Sequence, residues 1–190
     1  EDKITFGELD CLIIDQKKLI HLEVAYKFYL YDPTIVGSEI DKWIGPNRKD
    51  SLTQKLNKLK SNQMPLLHHP KTKEIIKGLD YDSDLFIQKS HFKAQLFLPY
   101  GLALENIIPL NEDCIAGYYI TLKQLVYFNK SSFYMPSKLD WLIEPHDNVS
   151  WRNIDDFTSL LMNSLNASRS PMCWIKDENN KIQKIFIVFW

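Results

Sequence analysis

Four ionisable residues near the start of the chain, Glu8, Asp10, Glu23 and Lys27, have the types and spacing for phosphodiester hydrolysis. Residues 4–14 are largely apolar and β-branched and predict a strand, and residues 19–31 predict a second with clear alternation. Asp15-Gln16-Lys17-Lys18 is a polar break between them. Whether Gln16-Lys17 is a two-residue turn or 15–18 a four-residue loop, facing residues have numbers summing to 33, which sets Asp10 opposite Glu23. Directly opposed Cβ atoms lie about 4.5–5.5 Å apart, where like charges repel. Two carboxylates that close on apolar strands need a cation between them or a shared proton. A hard divalent ion, Mg²⁺ or Mn²⁺, accepts one or two carboxylates and keeps several waters, which suits the pair. Glu8 and Lys27 fall on the same face, because strand side chains alternate. Acids, metal and lysine together can hold the ion, stabilise charge on phosphoryl oxygens, and orient or deprotonate the attacking water. The competing reading is a polar strand face that simply meets water. Against it, Asp10 interrupts the apolar run 9–14, and the pairing arithmetic alone brings the two acids together.

The elements that must position these groups are legible to different degrees. The second strand carries His21, Glu23, Ala25, Lys27 and Tyr29 on one face. Its other face carries Leu22, Val24, Tyr26, Phe28 and Leu30, an unbroken apolar set expected to lie against a core. After a loop containing Gly45-Pro46-Asn47, a helix is predicted over 51–62 with Asp50 or Ser51 as N-cap. Leu52, Leu56 and Leu59 form its apolar stripe, and Lys55, Lys58 and Lys60 its other sides. Further strands are expected at 94–98 and 114–121, with a closing hairpin of 172–175 and 181–190 about the turn 177–180. Residues 154–166 have amphipathic helical spacing. The expectation is one mixed α/β domain, a central sheet with flanking helices and a β-rich extension over roughly 90–190.

Net charge is −1, which gives no argument for a polyanion-coating protein, but its distribution is uneven. Residues 42–77 hold 9 Lys/Arg against 2 acids and follow directly on an acidic hairpin. Arg48, Lys49, Lys55 and Lys58 from this block are candidate phosphate contacts on either side of a scissile bond, and a solvated helix face is the alternative. Such contacts position a nucleic acid without reading its sequence. No apolar run approaches the roughly 20 residues needed to span a bilayer. The chain opens Glu1-Asp2-Lys3 without an initiator Met or signal-peptide pattern, and we read it as part of a longer gene product. The three cysteines are far apart in apolar stretches and are expected to be buried free thiols of a cytoplasmic protein. Asp80-Tyr81-Asp82-Ser83-Asp84 mimics the start of a calcium loop, but Leu85 and His91 stand where Gly and Glu are required.

Gly7-Glu8-Leu9-Asp10, followed by Glu23-Val24-Ala25-Tyr26-Lys27, resembles the core of the PD-(D/E)xK nuclease superfamily. More closely, the stretch from His21 to Leu30 is similar to a bacterial family, domain of unknown function 1853. Trp43-Ile44-Gly45-Pro46-Asn47, Asp50-Ser51-Leu52, Leu96-Phe97-Leu98-Pro99 and Phe186-Ile187-Val188 also look like that family. The resemblance implies a restriction-endonuclease-like core and a metal-dependent phosphodiesterase acting on nucleic acid, with DNA the first candidate. It implies Asp10 and Glu23 as Mg²⁺ ligands, joined by a main-chain carbonyl beside Glu23, that of Val24. Lys27 takes the lysine role and Glu8 is an auxiliary acid. The superfamily places its lysine two residues after the acid, where this chain has Ala25, so Lys55 on the following helix is a substitute. Ala25 also motivates two alternatives: an inactive nuclease-fold module that binds nucleic acid or a protein partner, and an interaction protein working through its aromatic-rich C-terminal half.

Overall fold

The computed structural model describes residues 6–15, 18–102 and 110–190. In chain order the first elements are β1 (Cys11–Asp15), β2 (Lys18–Tyr31), β3 (Trp43–Ile44), α1 (Leu52–Lys58), α2 (Met64–Leu66) and α3 (Pro70–Gly78). They are followed by β4 (Phe86–Pro99), β5 (Ile115–Thr121), β6 (Ser132–Tyr134), α4 (Ile154–Asn166), β7 (Met172–Lys176) and β8 (Ile182–Val188). The strands run in the order β1-β2-β4-β5-β8-β7-β6, with β3 also paired to β2. β4, β5 and β8 are parallel neighbours, while β1/β2, β2/β3, β6/β7 and β7/β8 are antiparallel. Among the described residues the fold is therefore α/β, with a mixed eight-stranded sheet and four α-helices. Among the described residues no helix is long and apolar enough to cross a membrane. Contacts divide the chain into two compact units, the described parts of Glu1–Lys27 with Thr53–Ala94, and of Phe28–Leu52 with Gln95–Trp190.

In the first unit the hairpin has the expected register. Cys11 faces Leu22 and Asp15 faces Lys18, so the two-residue connection holds; residues 16–17 themselves lie outside the described set. The strand expected over 4–14 is shorter. It starts at Cys11, because the Asp10 carboxylate accepts the Val24 N–H at 2.8 Å and a side chain replaces the ladder there. Ahead of it Gly7 has φ +151° and packs on Leu66 so closely that a Cβ would collide with that side chain.

The buried face of β2 is also not the expected one. Val24 and Tyr26 are 45% and 41% exposed, whereas His21 and Glu23 are 0% and 2% exposed. The reason lies in the helices, which pack on the polar face: Leu67, Ile76 and Phe86 form an apolar cluster there with Leu9 and Leu19. In the second unit both faces of the strand are covered: Tyr29, on the polar face, and Leu30, on the apolar face, are both fully buried.

The helix expected over 51–62 is α1 followed by a π-helical turn, Leu59–Gln63. Pro65 has no N–H to close onto Ser61, and the turn before it widens until the Met64 N–H bonds the Leu59 carbonyl five residues back. His69 caps α3, its Nδ1 accepting the Lys71 N–H, and Pro70 occupies the first turn where no N–H is needed.

In the second unit α4 has the expected bounds, capped by Asn153, whose Oδ1 accepts the Asp156 N–H at 2.9 Å. Its apolar stripe buries Phe157 and Leu161 with Phe133, Cys173, Ile185 and Ile187. The opposite sheet face buries Leu30, Phe97, Met172 and Phe186, against which Phe28, Trp141 and Trp190 pack. The β7–β8 hairpin closes as expected, its Asp177 carboxylate accepting the Asn179 and Lys181 N–H groups. Gly117 is required where β5 meets β8, since an added Cβ would fall onto the Lys184 carbonyl. Cys173 is buried, which pushes its thiol well up, while Cys11 and Cys114 are half-buried; all three are free.

Candidate active site

The site is assembled in the first unit from the hairpin, the turn after α1, and β4. The Asp10 N–H approaches Glu23 Oε1 at 3.4 Å, while Asp10 Oδ2 takes the Val24 N–H at 2.8 Å. Asp10 therefore borders Glu23 one residue before the ladder begins, at the position that the register continued from Cys11 and Leu22 sets against residue 23. Asp10 is exposed and Glu23 almost fully buried.

Burying a carboxylate is costly unless its oxygens are hydrogen-bonded, and Glu23 is held on both. His21 Nε2 lies 2.8 Å from Oε1, and Gln63 Nε2 donates to Oε2 at 2.8 Å. The direction of each bond follows from the groups at the ends of the chain. Lys55 Nζ can only donate and does so to Gln63 Oε1 at 2.8 Å, so the carboxamide must turn its N–H toward Glu23. On the other side Gln88 Nε2 donates to the Met64 carbonyl at 2.6 Å and lies 3.0 Å from His21 Nδ1. That carbonyl only accepts, so nitrogen is the Gln88 atom nearest the ring. Nδ1 then accepts, and the Nε2 proton points at Glu23. Both donor chains, from Lys55 through Gln63 and from Gln88 through His21, run toward the carboxylate.

The expected site residues are not all brought together. Lys27 stays in β2 on the Glu23 face and is half-buried. Glu8 is exposed and precedes the ladder, so the alternation expected to set it beside Asp10 does not reach it. Lys55 ends one carboxamide away from Glu23. Lys58 and Lys49 are exposed. Arg48 belongs to the second unit, where it is engaged in packing: its guanidinium donates to Asp32 at 2.6 Å and lies 4.2 Å from the Trp190 ring centroid. His21, Gln63 and Gln88 were missed as site residues. For His21 the signal was its place on the Glu23 face; neutral amides gave none.

The Asp32 and Arg48 pair makes its own prediction. Burial works to raise the Asp32 carboxyl, but hydrogen bonds from Thr34 and the Arg48 guanidinium outweigh it and hold the group below the ordinary carboxylate range. A depressed folded value stabilises above the unfolded value, near pH 4, and that stability is lost as pH falls below it. The Tm advantage of the wild type over Asp32→Asn should shrink between about pH 5 and pH 3; a constant difference would show that the charge contributes nothing.

Which residues could hold a metal follows from donor chemistry. Asp10 and Glu23 offer two hard carboxylate donors on bordering residues, the number Mg²⁺ accepts from protein. Among the described residues no group of three or more His, Cys, Asp or Glu side chains is arranged for a metal. The two carboxylates fit a site completed by water and substrate oxygens, and do not fit an all-protein cage.

A family model described as Domain of unknown function (DUF1853) matches residues 1–188. The chain belongs to that family. No curated protein and no solved structure matches the chain. For this DUF1853 member the functional argument therefore rests on the two acidic residues and their hydrogen-bonded surroundings.

Proposed function

We propose that the chain is a metal-dependent phosphodiesterase of the PD-(D/E)xK type acting on nucleic acid, with Asp10, Glu23 and the Val24 carbonyl holding Mg²⁺ or Mn²⁺. The observation that supports this reading is the adjacency of the two acidic residues, with the Asp10 N–H approaching Glu23 Oε1 and Asp10 Oδ2 accepting the Val24 N–H. A bound divalent ion supplies charge stabilisation on phosphoryl oxygens. Within the protein, His21 and Gln63 orient the Glu23 carboxylate, and Asp10 presents its own from the exposed side. Lys27 orients the attacking water from the same strand face, with Lys55 as a second amine delivered through Gln63, and Glu8 in support. Lys49 and Lys58 are exposed cations available to backbone phosphates.

Calorimetric titration of Mn²⁺ tests this reading without a choice of substrate. Saturable binding that Asp10→Asn and Glu23→Gln each abolish is expected; unchanged binding in both variants would remove the assignment. One observation favours a second reading, a catalytically inactive nucleic-acid-binding module: Ala25 stands where the superfamily carries its lysine. That module would bind nucleic acid equally well in EDTA and release no product in Mn²⁺.

A further inference from the structure

The residues on either side of Glu8, Gly7 and Leu9, line a groove of about 460 Å³ with Phe6 and Leu12 on one bank. The opposite bank is α3, which contributes Lys71 and Ile75. The volume is that of a small-molecule site. Leu12 lies two residues beyond Asp10, about 6.6 Å along the chain, and its facing partner is His21. The groove thus opens on the sheet face that buries Glu23 and His21.

Its chemistry is mixed in an informative way. Phe6 and Ile75 are 51% and 66% exposed, so apolar surface is left open to water. The Phe6 ring centroid lies 5.0 Å from the His69 ring and 4.5 Å from Lys71 Nζ. No carboxylate is among the groove's described lining residues, and Lys71 is its charged group. The charge complement is therefore a ligand with a flat apolar body and an anionic group beside it. A nucleotide with its base unstacked has that form, and aromatic rings next to cations are what single-strand binders offer to bases. A base inside a duplex enters only if it leaves its stack and its pair, an energetic cost that a single strand does not bear.

We propose that this groove receives an unpaired nucleobase beside the phosphodiester handled at Asp10 and Glu23, making the preferred substrate single-stranded. The proposal rests on the phosphodiesterase reading for the position of the scissile bond. Lys71 holds the adjoining phosphate, and Phe6 with Ile75 takes the base.

The test is fluorescence anisotropy of a labelled ten-nucleotide single strand and of the matching duplex, in Ca²⁺. The single strand should bind more tightly. Phe6→Ala and Ile75→Glu should each weaken it about tenfold, the size of one lost base-stacking contact. Both positions are more than half exposed, so thermal melting and the Mn²⁺ isotherm should stay at wild-type values. Equal affinity for duplex and single strand, or variants that bind as the wild type does, would overturn the groove assignment while leaving the metal reading intact. A shift of oligomeric mass in Ile75→Glu, seen by light scattering, would also overturn it and assign the groove to a second copy of the chain. Loss of Mn²⁺ binding in the wild type, with the single-strand preference kept, would instead remove the catalytic reading alone.

Discussion

Asp10→Asn is expected to lower metal-dependent phosphodiester hydrolysis by about 10²–10³-fold while leaving the fold intact. The separation of the two effects follows from geometry. Asp10 is exposed, and its described structural duty is to accept the Val24 N–H through Oδ2. An Asn oxygen can accept the same bond, so the hairpin keeps its contact at that position. The negative charge is lost, and with it one of the two carboxylates available to a hard cation. A gel-based cleavage assay in Mn²⁺, with melting temperature as the control, reads both. Activity equal to wild type would show that the carboxylate is only the end of a strand. A parallel fall in Tm would show that the charge serves the hairpin.

His21→Leu carries the second large effect, and here stability and metal affinity should fall together. Leu fills the fully buried space left by the imidazole but removes the Nε2 donor from Glu23 Oε1. It also leaves one Gln88 N–H without its ring acceptor. Removing one partner of a hydrogen-bonded buried charge costs about 2–4 kcal/mol, because the remaining group keeps its desolvation penalty. A donor lost from behind a metal ligand typically costs about 10–100-fold in affinity. Urea unfolding and Mn²⁺ calorimetry measure the two. Glu23→Leu in the His21→Leu background separates their causes, since removing both partners takes away the orphaned charge. The double variant should recover part of the lost stability and none of the metal binding. Recovery of neither would mean that packing, not the carboxylate, sets the cost.

The same accounting explains why Glu23→Gln is more than a charge change. Lys55 fixes the orientation of the Gln63 carboxamide, so a Gln at position 23 sets two N–H groups against each other unless Lys55 moves. Lys55→Met frees Gln63 to turn, and the double variant should be more stable than the sum of the single changes implies. Additive values in a double-mutant cycle would show that the Lys55 contact does not govern the carboxamide.

Local pattern was enough for a defined part of this molecule. The hairpin register, the bounds of α4 and the β7–β8 closure all rest on alternation, caps or turn residues within one or two neighbouring elements, and each reads directly from the chain. The facing of positions 10 and 23 follows from the same register, continued one residue past the Cys11 and Leu22 pair. The length of β4 does not, since its first half, with Gln88, Lys89, Ser90 and His91, lacks the apolar density that marked 94–98. The covered face of β2 was misread for a different reason. Periodicity shows that a strand has two unlike faces, and which one is covered depends on where distant helices pack. The surroundings of Glu23 depend on the same thing. Gln63 reaches it from 40 residues away, and Gln88 reaches His21 from 67. A carboxamide has no charge, no periodic signature and no preferred spacing to a carboxylate, so its role exists only once folding has brought the two together and excluded the water that would otherwise bond to both.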